Sequence, residues 1–299
     1  MNRLPALALA LTLAVQLHAA DLVRGVRSKI SAGDLATGMA QVEDYRNTTG
    51  VDAEYLDAVG WLARGAQLLG QPDRARQYVA ELRREIPEEK AGLITPYGAA
   101  IEVEGRLIAS TEGRGAAIRY FESQLARAKA PELRSRISKN INLISLEGQP
   151  APALDQADFV GKRAPALASL RGKPVLLFFF AEGCGDCKGQ APSLGRVWEK
   201  YRSRGVELIA VTRLYGGSKE KPFTSDEEKE QIAKVWKETY APLDAVPIVV
   251  STEAMVRWGA SATPTFALLD RRGTVRLYTP TRLSEAELSR RLDELLAEP

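Results

Sequence analysis

The chain has 299 residues, 45% hydrophobic and 26% charged, the composition of a soluble globular protein with room for two modest domains. Its 41 lysines and arginines against 38 aspartates and glutamates leave a net charge of +3 with no like-charge runs, which argues against nucleic acid as a partner. Met1 to Ala20 has Arg3 near the amino terminus, an apolar stretch from Leu4 to Leu17, and small residues at Ala19 and Ala20. The pattern predicts a secretory signal over residues 1–20, cleaved near Ala19 or Ala20, because the apolar stretch is shorter than the roughly 20 residues a membrane span needs. The predicted location is therefore the periplasm or the exterior, with an N-terminal membrane anchor as the alternative. The single histidine, His18, lies inside this segment, so a cleaved chain has none. Ser-His-Asp and Cys-His hydrolase sites and histidine-ligated copper or zinc fall away with it, and two cysteines alone cannot build a structural zinc site.

From about Leu22 to Leu146 apolar residues recur at helical spacing, with Gly or Pro between segments. Leu56, Val59 and Leu62–Ala63 line one helix ending near Gly70; Ala75, Val79 and Leu82 line the next, which opens at Pro72 and stops before Pro87. Gly70, Ala75, Val79, Leu82 and Pro87 resemble the second helix of a tetratricopeptide repeat, and Gly113, Ala117, Phe121 and Leu125 form a similar block. A weaker one is Gly33, Gly38 and Val42. The step from Ala75 to Ala117 is longer than the repeat's period of about 34 residues, so the reading is tetratricopeptide-like hairpins over residues 21–148, not regular repeats. Such a domain offers a surface for a partner protein, or simply shields its neighbour.

Pro150, Pro152 and Pro165 break the helical periodicity and place a boundary near 148–155. Beyond it strands and helices alternate. Val175–Ala181 is a continuous apolar run, expected of a central strand buried on both faces, and Leu194, Val197, Trp198 and Tyr201 mark a helix. Val206–Thr212 reads as a second strand. Ser225 with Glu228 forms a capping-box pattern before a helix carrying Ile232, Val235 and Trp236. Ile248–Ser251, Phe266–Asp270 and Val275–Tyr278 read as further strands, the last two joined through Arg271–Arg272–Gly273, and Ser284 with Glu287 caps a final helix. The expected fold class is an α/β sheet with helices on both sides, over residues 155–299, preceded by an all-α domain. Trp198, Trp236 and Trp258 are expected in the core.

Cys184-Gly185-Asp186-Cys187 follows the first buried strand directly and opens the next helix. Two residues between cysteines at a helix start let the sulfurs meet as a disulfide and set the first near the positive end of the helix dipole, favouring its thiolate. The motif alone is equally half a zinc site or a structural disulfide. Here no second pair exists, and so short a loop would constrain the unfolded chain little, which leaves redox chemistry as the stronger reading.

Ser169–Pro192 (SLRGKPVLLFFFAEGCGDCKGQAP) and Trp258–Val275 (WGASATPTFALLDRRGTV) resemble the TlpA/ResA type of periplasmic thioredoxin-fold reductase. The resemblance covers roughly residues 155–299. It implies a thioredoxin-like fold, Cys184 and Cys187 as the catalytic pair, and Thr263-Pro264 as the pair at the family's cis-proline, which packs on the disulfide and pairs with substrate backbone. Pro192 matches the family's helix-kinking proline. The chain departs from the pattern at three places: Gly183 stands where a Trp is common, Phe178 where thioredoxins bury an Asp, and Gln190 where many relatives have a Glu. Gln can hydrogen-bond a thiol but cannot take its proton. The acceptor of the Cys187 proton is then Glu182, Asp186, a water, or no specific group. Asp186 also opposes a Cys184 thiolate, with Lys188 partly compensating, which argues for the reducing side of the potential range.

The expected activity is thiol–disulfide exchange with a disulfide-bearing partner protein, needing no cofactor and no metal, with a membrane thiol reductase as the electron donor the resemblance implies. Gly185 would give the partner backbone room. Three rivals stand beside it: a peroxidase, which lacks the Pro and Thr expected ahead of its cysteine; a copper-delivery protein, which lacks its histidine; and a helical partner-binding protein whose disulfide is a stabiliser or switch.

Overall fold

A computed structural model describes residues 22–156, 158–217 and 221–298, so the expected secretory signal lies outside the described residues. The chain divides into two compact units that part between Lys129 and Ala130.

The first unit is all-helical: α1 (22–31), α2 (Leu35–Thr48), α3 (Ala53–Leu68), α4 (Pro72–Glu85), α5 (Ile94–Glu112) and α6 (Arg114–Arg127). Short polar side chains start the early helices, because Asp34 and Asp52 accept from the N–H groups of Thr37 and Tyr55. Pro72 opens α4, where its missing N–H costs nothing. Leu56, Val59 and Leu62 of α3 share one core with Ala75, Val79 and Leu82 of α4 and Val103 of α5. At the α5–α6 crossing Gly105 lies against the Phe121 ring, and any side chain there would overlap it. The arrangement is the all-α domain of helical hairpins expected from the spacing.

The second unit opens with α7 (Pro131–Ser145) and holds a six-stranded mixed sheet. Its strands are β1 (Asp158–Val160), β2 (Val175–Phe179), β3 (Glu207–Thr212), β4 (Ile248–Val250), β5 (Thr265–Leu269) and β6 (Val275–Thr279), in the order β1-β4-β3-β2-β5-β6. β2 runs parallel to β3 and β3 to β4, and the other pairings are antiparallel. β2 is central, and its side chains alternate between two cores. Leu176, Phe178 and Phe180 meet α8 (Gly185–Tyr201), α9 (Ser225–Thr239) and α11 (Glu285–Ala297) on one face. Val175, Leu177 and Phe179 meet Met255 and Trp258, at α10 (Thr252–Arg257), on the other. Burial on both sides is why β2 is an unbroken apolar run. Each fully buried Phe or Leu contributes about 1.5–3 kcal/mol. Trp236 and Trp258 are buried and Trp198 half-buried.

Three features go beyond the sequence reading. β1 and α10 are short elements with no periodicity to mark them. The composition changes near 148–155, yet the break between units precedes α7, which packs on α10. Ser135 and Asn142 of α7 donate to the carbonyls of Met255 and Arg257, both at 3.2 Å. Gly259, at φ 63°, lies so close to the Lys139 backbone that a Cβ would collide with it. Finally, the box opening α9 is Thr224 with Glu227, one residue before the expected Ser225 and Glu228. Glu228 is instead buried, accepting from the N–H groups of Tyr215 (2.6 Å) and Gly216 (2.8 Å), so its carboxylate holds a loop and not a helix end.

Candidate active site

β2 delivers the chain to the C-terminal edge of the sheet, where Ala181–Gly183 turn it into α8. Cys184 is the N-cap of that helix. Its N–H donates to the Ala181 carbonyl at 3.1 Å, fixing the turn. Cys184 and Cys187 are joined as a disulfide, with Cα atoms 5.3 Å apart, inside the range for unforced bridging. The two sulfurs are not equivalent. Cys184 is half-buried at the rim, whereas Cys187 is fully buried in the core beneath β2 that also holds Phe178, Phe180 and Trp236. The Cys187 N–H donates to the Cys184 sulfur at 3.1 Å, as an N-cap acceptor receives the first free donors of a helix. That bond and the helix dipole both favour negative charge on Cys184.

The second wall comes from the opposite end of the sequence. The Thr263–Pro264 peptide bond is cis, immediately before β5, and the Thr263 carbonyl lies 3.3 Å from the Cys184 sulfur. Because β5 pairs with β2, the strand that leads to the cysteines, the sheet itself sets this carbonyl beside the disulfide.

The remaining candidates are placed as follows. Gln190 is buried, but its amide is spent on the loop before α11: it donates to the Leu283 carbonyl (2.8 Å) and to Ser193 (2.8 Å), and accepts from the Leu283 N–H (3.1 Å). It is a strut between α8 and that loop. Asp186 is exposed in the first turn of α8, 3.9 Å from the Arg282 guanidinium, which also reaches the Gly189 carbonyl. Arg282 thus joins Lys188 in offsetting the acid, although an exposed pair at this distance is worth little. Glu182 is half-buried and makes no hydrogen bond or ion pair among the described residues. Gly183 and Gly185 face open space, so a Cβ at either would touch nothing within 4 Å. Gly185 is therefore not demanded by the fold; the room it leaves belongs to whatever approaches the disulfide. No cluster of three metal-ligating side chains occurs among the described residues.

Residues 148–278 match the AhpC/TSA family. The C-terminal half of this chain is a thioredoxin-like domain, similar to proteins named as thiol–disulfide oxidoreductases. The thioredoxin-like protein YneN of Bacillus subtilis is 25% identical over 148 residues, 49% of this chain and 79% of that one. The thiol-disulfide oxidoreductase ResA of Bacillus cereus is 28% identical over 128 residues, 43% of this chain and 66% of its own length. Among solved structures, a thioredoxin-family thiol:disulfide interchange protein from Chlorobium tepidum TLS covers 50% of this chain and 98% of its own, at 21% identity and a TM-score of 0.40. In this thioredoxin-like domain the sequence reading missed Arg282, a lone loop arginine that no motif marks.

Proposed function

We propose that this protein is an extracytoplasmic thiol–disulfide oxidoreductase that reduces disulfides in partner proteins, with Cys184 as nucleophile and Cys187 as resolving thiol. The observation that carries the reading is the asymmetry of the pair: one sulfur at the rim of a helix N-terminus beside a cis-proline loop, the other sealed behind it. The Cys184 thiolate attacks one sulfur of the partner's disulfide; a Cys184–partner bond forms, the partner's bond breaks, and its second sulfur leaves as a thiolate that takes up a proton. Cys187, deprotonated, then attacks the Cys184 sulfur, the mixed bond breaks, and the partner departs with both cysteines reduced. Two electrons have moved to the partner and the Cys184–Cys187 disulfide is restored.

Thr263 and Pro264 hold the partner's backbone beside the sulfurs in this scheme, and Glu182, Asp186 or a water accepts the Cys187 proton, since Gln190 cannot. Asp186 biases the couple toward the reducing side. A membrane thiol reductase returns the electrons, and the helical unit, tetratricopeptide-like in spacing, supplies a surface for a partner protein. The family of the C-terminal domain, the relatives' names and the N-terminal residues 1–20 support this reading.

Insulin reduction tests it. Cys184→Ser abolishes turnover, and Cys187→Ser retains the first step and accumulates a mixed disulfide visible on non-reducing gels. Unchanged activity of Cys184→Ser rejects the proposal and leaves the helical unit as the functional part. A potential as oxidising as that of a disulfide-introducing enzyme reverses the direction.

A further inference from the structure

We propose that Arg282 is a positioning residue for the exchange reaction: seated on Gly189, it holds and neutralises the Asp186 carboxylate and so keeps the Cys184 thiolate available for attack. This rests on the reductase reading of the Cys184–Cys187 pair and adds a residue that governs it. Asp186 lies inside the loop that the disulfide closes, whose end Cα atoms are 5.3 Å apart. Its carboxylate is therefore within about one Debye length, ~10 Å at 0.1 M salt, of the Cys184 sulfur. Asp186 in the first turn of α8 and Cys184 at its N-cap draw on the same positive helix end. Left without a counter-charge, the acid disfavours a second anion beside it.

Arg282 supplies that counter-charge from outside the helix. Its Nη1 lies 3.9 Å from Asp186 Oδ1, and its Nη2 donates to the Gly189 carbonyl at 3.4 Å. Cζ, Nη1 and Nη2 all lie 3.6 Å from where a Cβ on Gly189 would stand, so the guanidinium rests on a residue with no side chain to displace it. Lys188 does not take over this part. Two positions from Asp186, it stands on another side of α8, and it makes no ion pair among the described residues.

The loop that carries Arg282 is pinned to α8. Leu283, the next residue, is clamped by both ends of the Gln190 amide, at 3.1 Å through its N–H and 2.8 Å through its carbonyl, and Gln190 is only 1% exposed. Ser284 then caps α11, and Glu285 meets Arg196 of α8 at 2.6 Å. The Gln190 strut thus delivers Arg282 to the first turn of the helix. As a stabiliser, an exposed pair of this length is worth little. What it changes is the charge seen by one sulfur. The other charged groups near Cys184 are Glu182 in the turn before it and, beyond Thr263, the cleft residues Glu132, Arg136 and Arg213, all untouched by the variants below.

The test is the pH profile of Cys184 alkylation by iodoacetamide, in which the thiolate displaces iodide, on the reduced full chain carrying Cys187→Ser so that one thiol reports. Arg282→Gln is expected to move the midpoint to higher pH and to slow alkylation at neutral pH by about threefold at low ionic strength, less at high salt. Arg282→Lys retains part of the wild-type rate. Gly189→Leu fills the seat while keeping the charge, in an exposed helical position where leucine is the better helix former, and shifts the profile the same way. Asp186→Asn shifts it to lower pH, and in that background Arg282→Gln loses most of its effect. An unchanged profile in Arg282→Gln overturns the proposal, as does a shift equally large without Asp186, which assigns the effect to bare charge. A Gly189→Leu profile equal to wild type overturns the seat on Gly189. Insulin reduction by the chain with both cysteines decides the reductase reading separately: its absence sinks that reading whatever the alkylation profiles show.

Discussion

Gln190 shows how a single side chain next to a reactive centre can serve the frame instead of the reaction. Its amide pairs with both the N–H and the C=O of Leu283, so one residue closes two half-buried backbone groups of the loop that leads into α11. Gln190→Leu leaves both unpaired, and unsatisfied buried groups cost about 1–3 kcal/mol each before any relaxation. Thermal unfolding of the oxidised protein should show a clear drop in Tm, with any loss of reductase activity secondary to it. Gln190→Glu separates framing from catalysis. As a carboxylate it still accepts from Leu283 but faces the Leu283 carbonyl with no proton to donate, so the folded state holds the protonated form. Its folded pKa is then raised, and the stability of this variant falls as pH rises through that value. A Tm gap from wild type that narrows on acidification checks the sign; a pH-independent gap rejects it. The spacing to Cys187 identified the position, but the partner lies 93 residues away, and no local pattern carries that distance.

At the scale of elements, caps and turns decide where regular structure stops. The β5–β6 hairpin turns on Asp270, which accepts from the N–H groups of Arg272 and Thr274, both at 2.9 Å. Burial alone would raise its pKa, but those N–H groups and the Arg276 guanidinium outweigh it and hold the carboxyl below the usual carboxylate value. A depressed folded pKa contributes stability that is fully present above the unfolded value, about 3.9, and is lost as pH falls through the folded one. Asp270→Asn should therefore lower Tm at neutral pH, and the difference from wild type should shrink below about pH 4. A constant difference down to that pH assigns the effect to shape instead of charge. The hairpin was legible because Arg271–Arg272–Gly273 sits between two apolar runs, and the continuous runs of β2 and β3 because strands buried on both faces leave no polar alternation. The α9 cap was legible only to within one residue: Thr224 and Ser225 are both competent caps, each with a Glu three residues on. Glu228 went to the loop because two backbone N–H groups of Tyr215 and Gly216 needed an acceptor there, a tertiary demand with no sequence signature.

For the molecule as a whole, α7 is the element whose allegiance matters. Helical periodicity reveals a helix but not which core it joins, and its buried polar side chains, Ser135, Ser138, Asn140 and Asn142, spell out no obvious apolar face. The backbone bonds to α10 and the Gly259 contact bind it to the sheet-bearing unit. A fragment spanning residues 130–298 should therefore unfold at a higher denaturant midpoint than one beginning at 148, with the same disulfide in both. Equal midpoints would make α7 an ornament of the second unit.

One feature of the site governs traffic through the whole protein. In the proposed cycle, with Cys187 sealed in the core, electrons would enter and leave through a single doorway at Cys184. A partner that collects electrons and a donor that resupplies them would then use that doorway in turn, never together. Turnover then follows parallel-line kinetics, and an excess of either visitor keeps the other waiting outside.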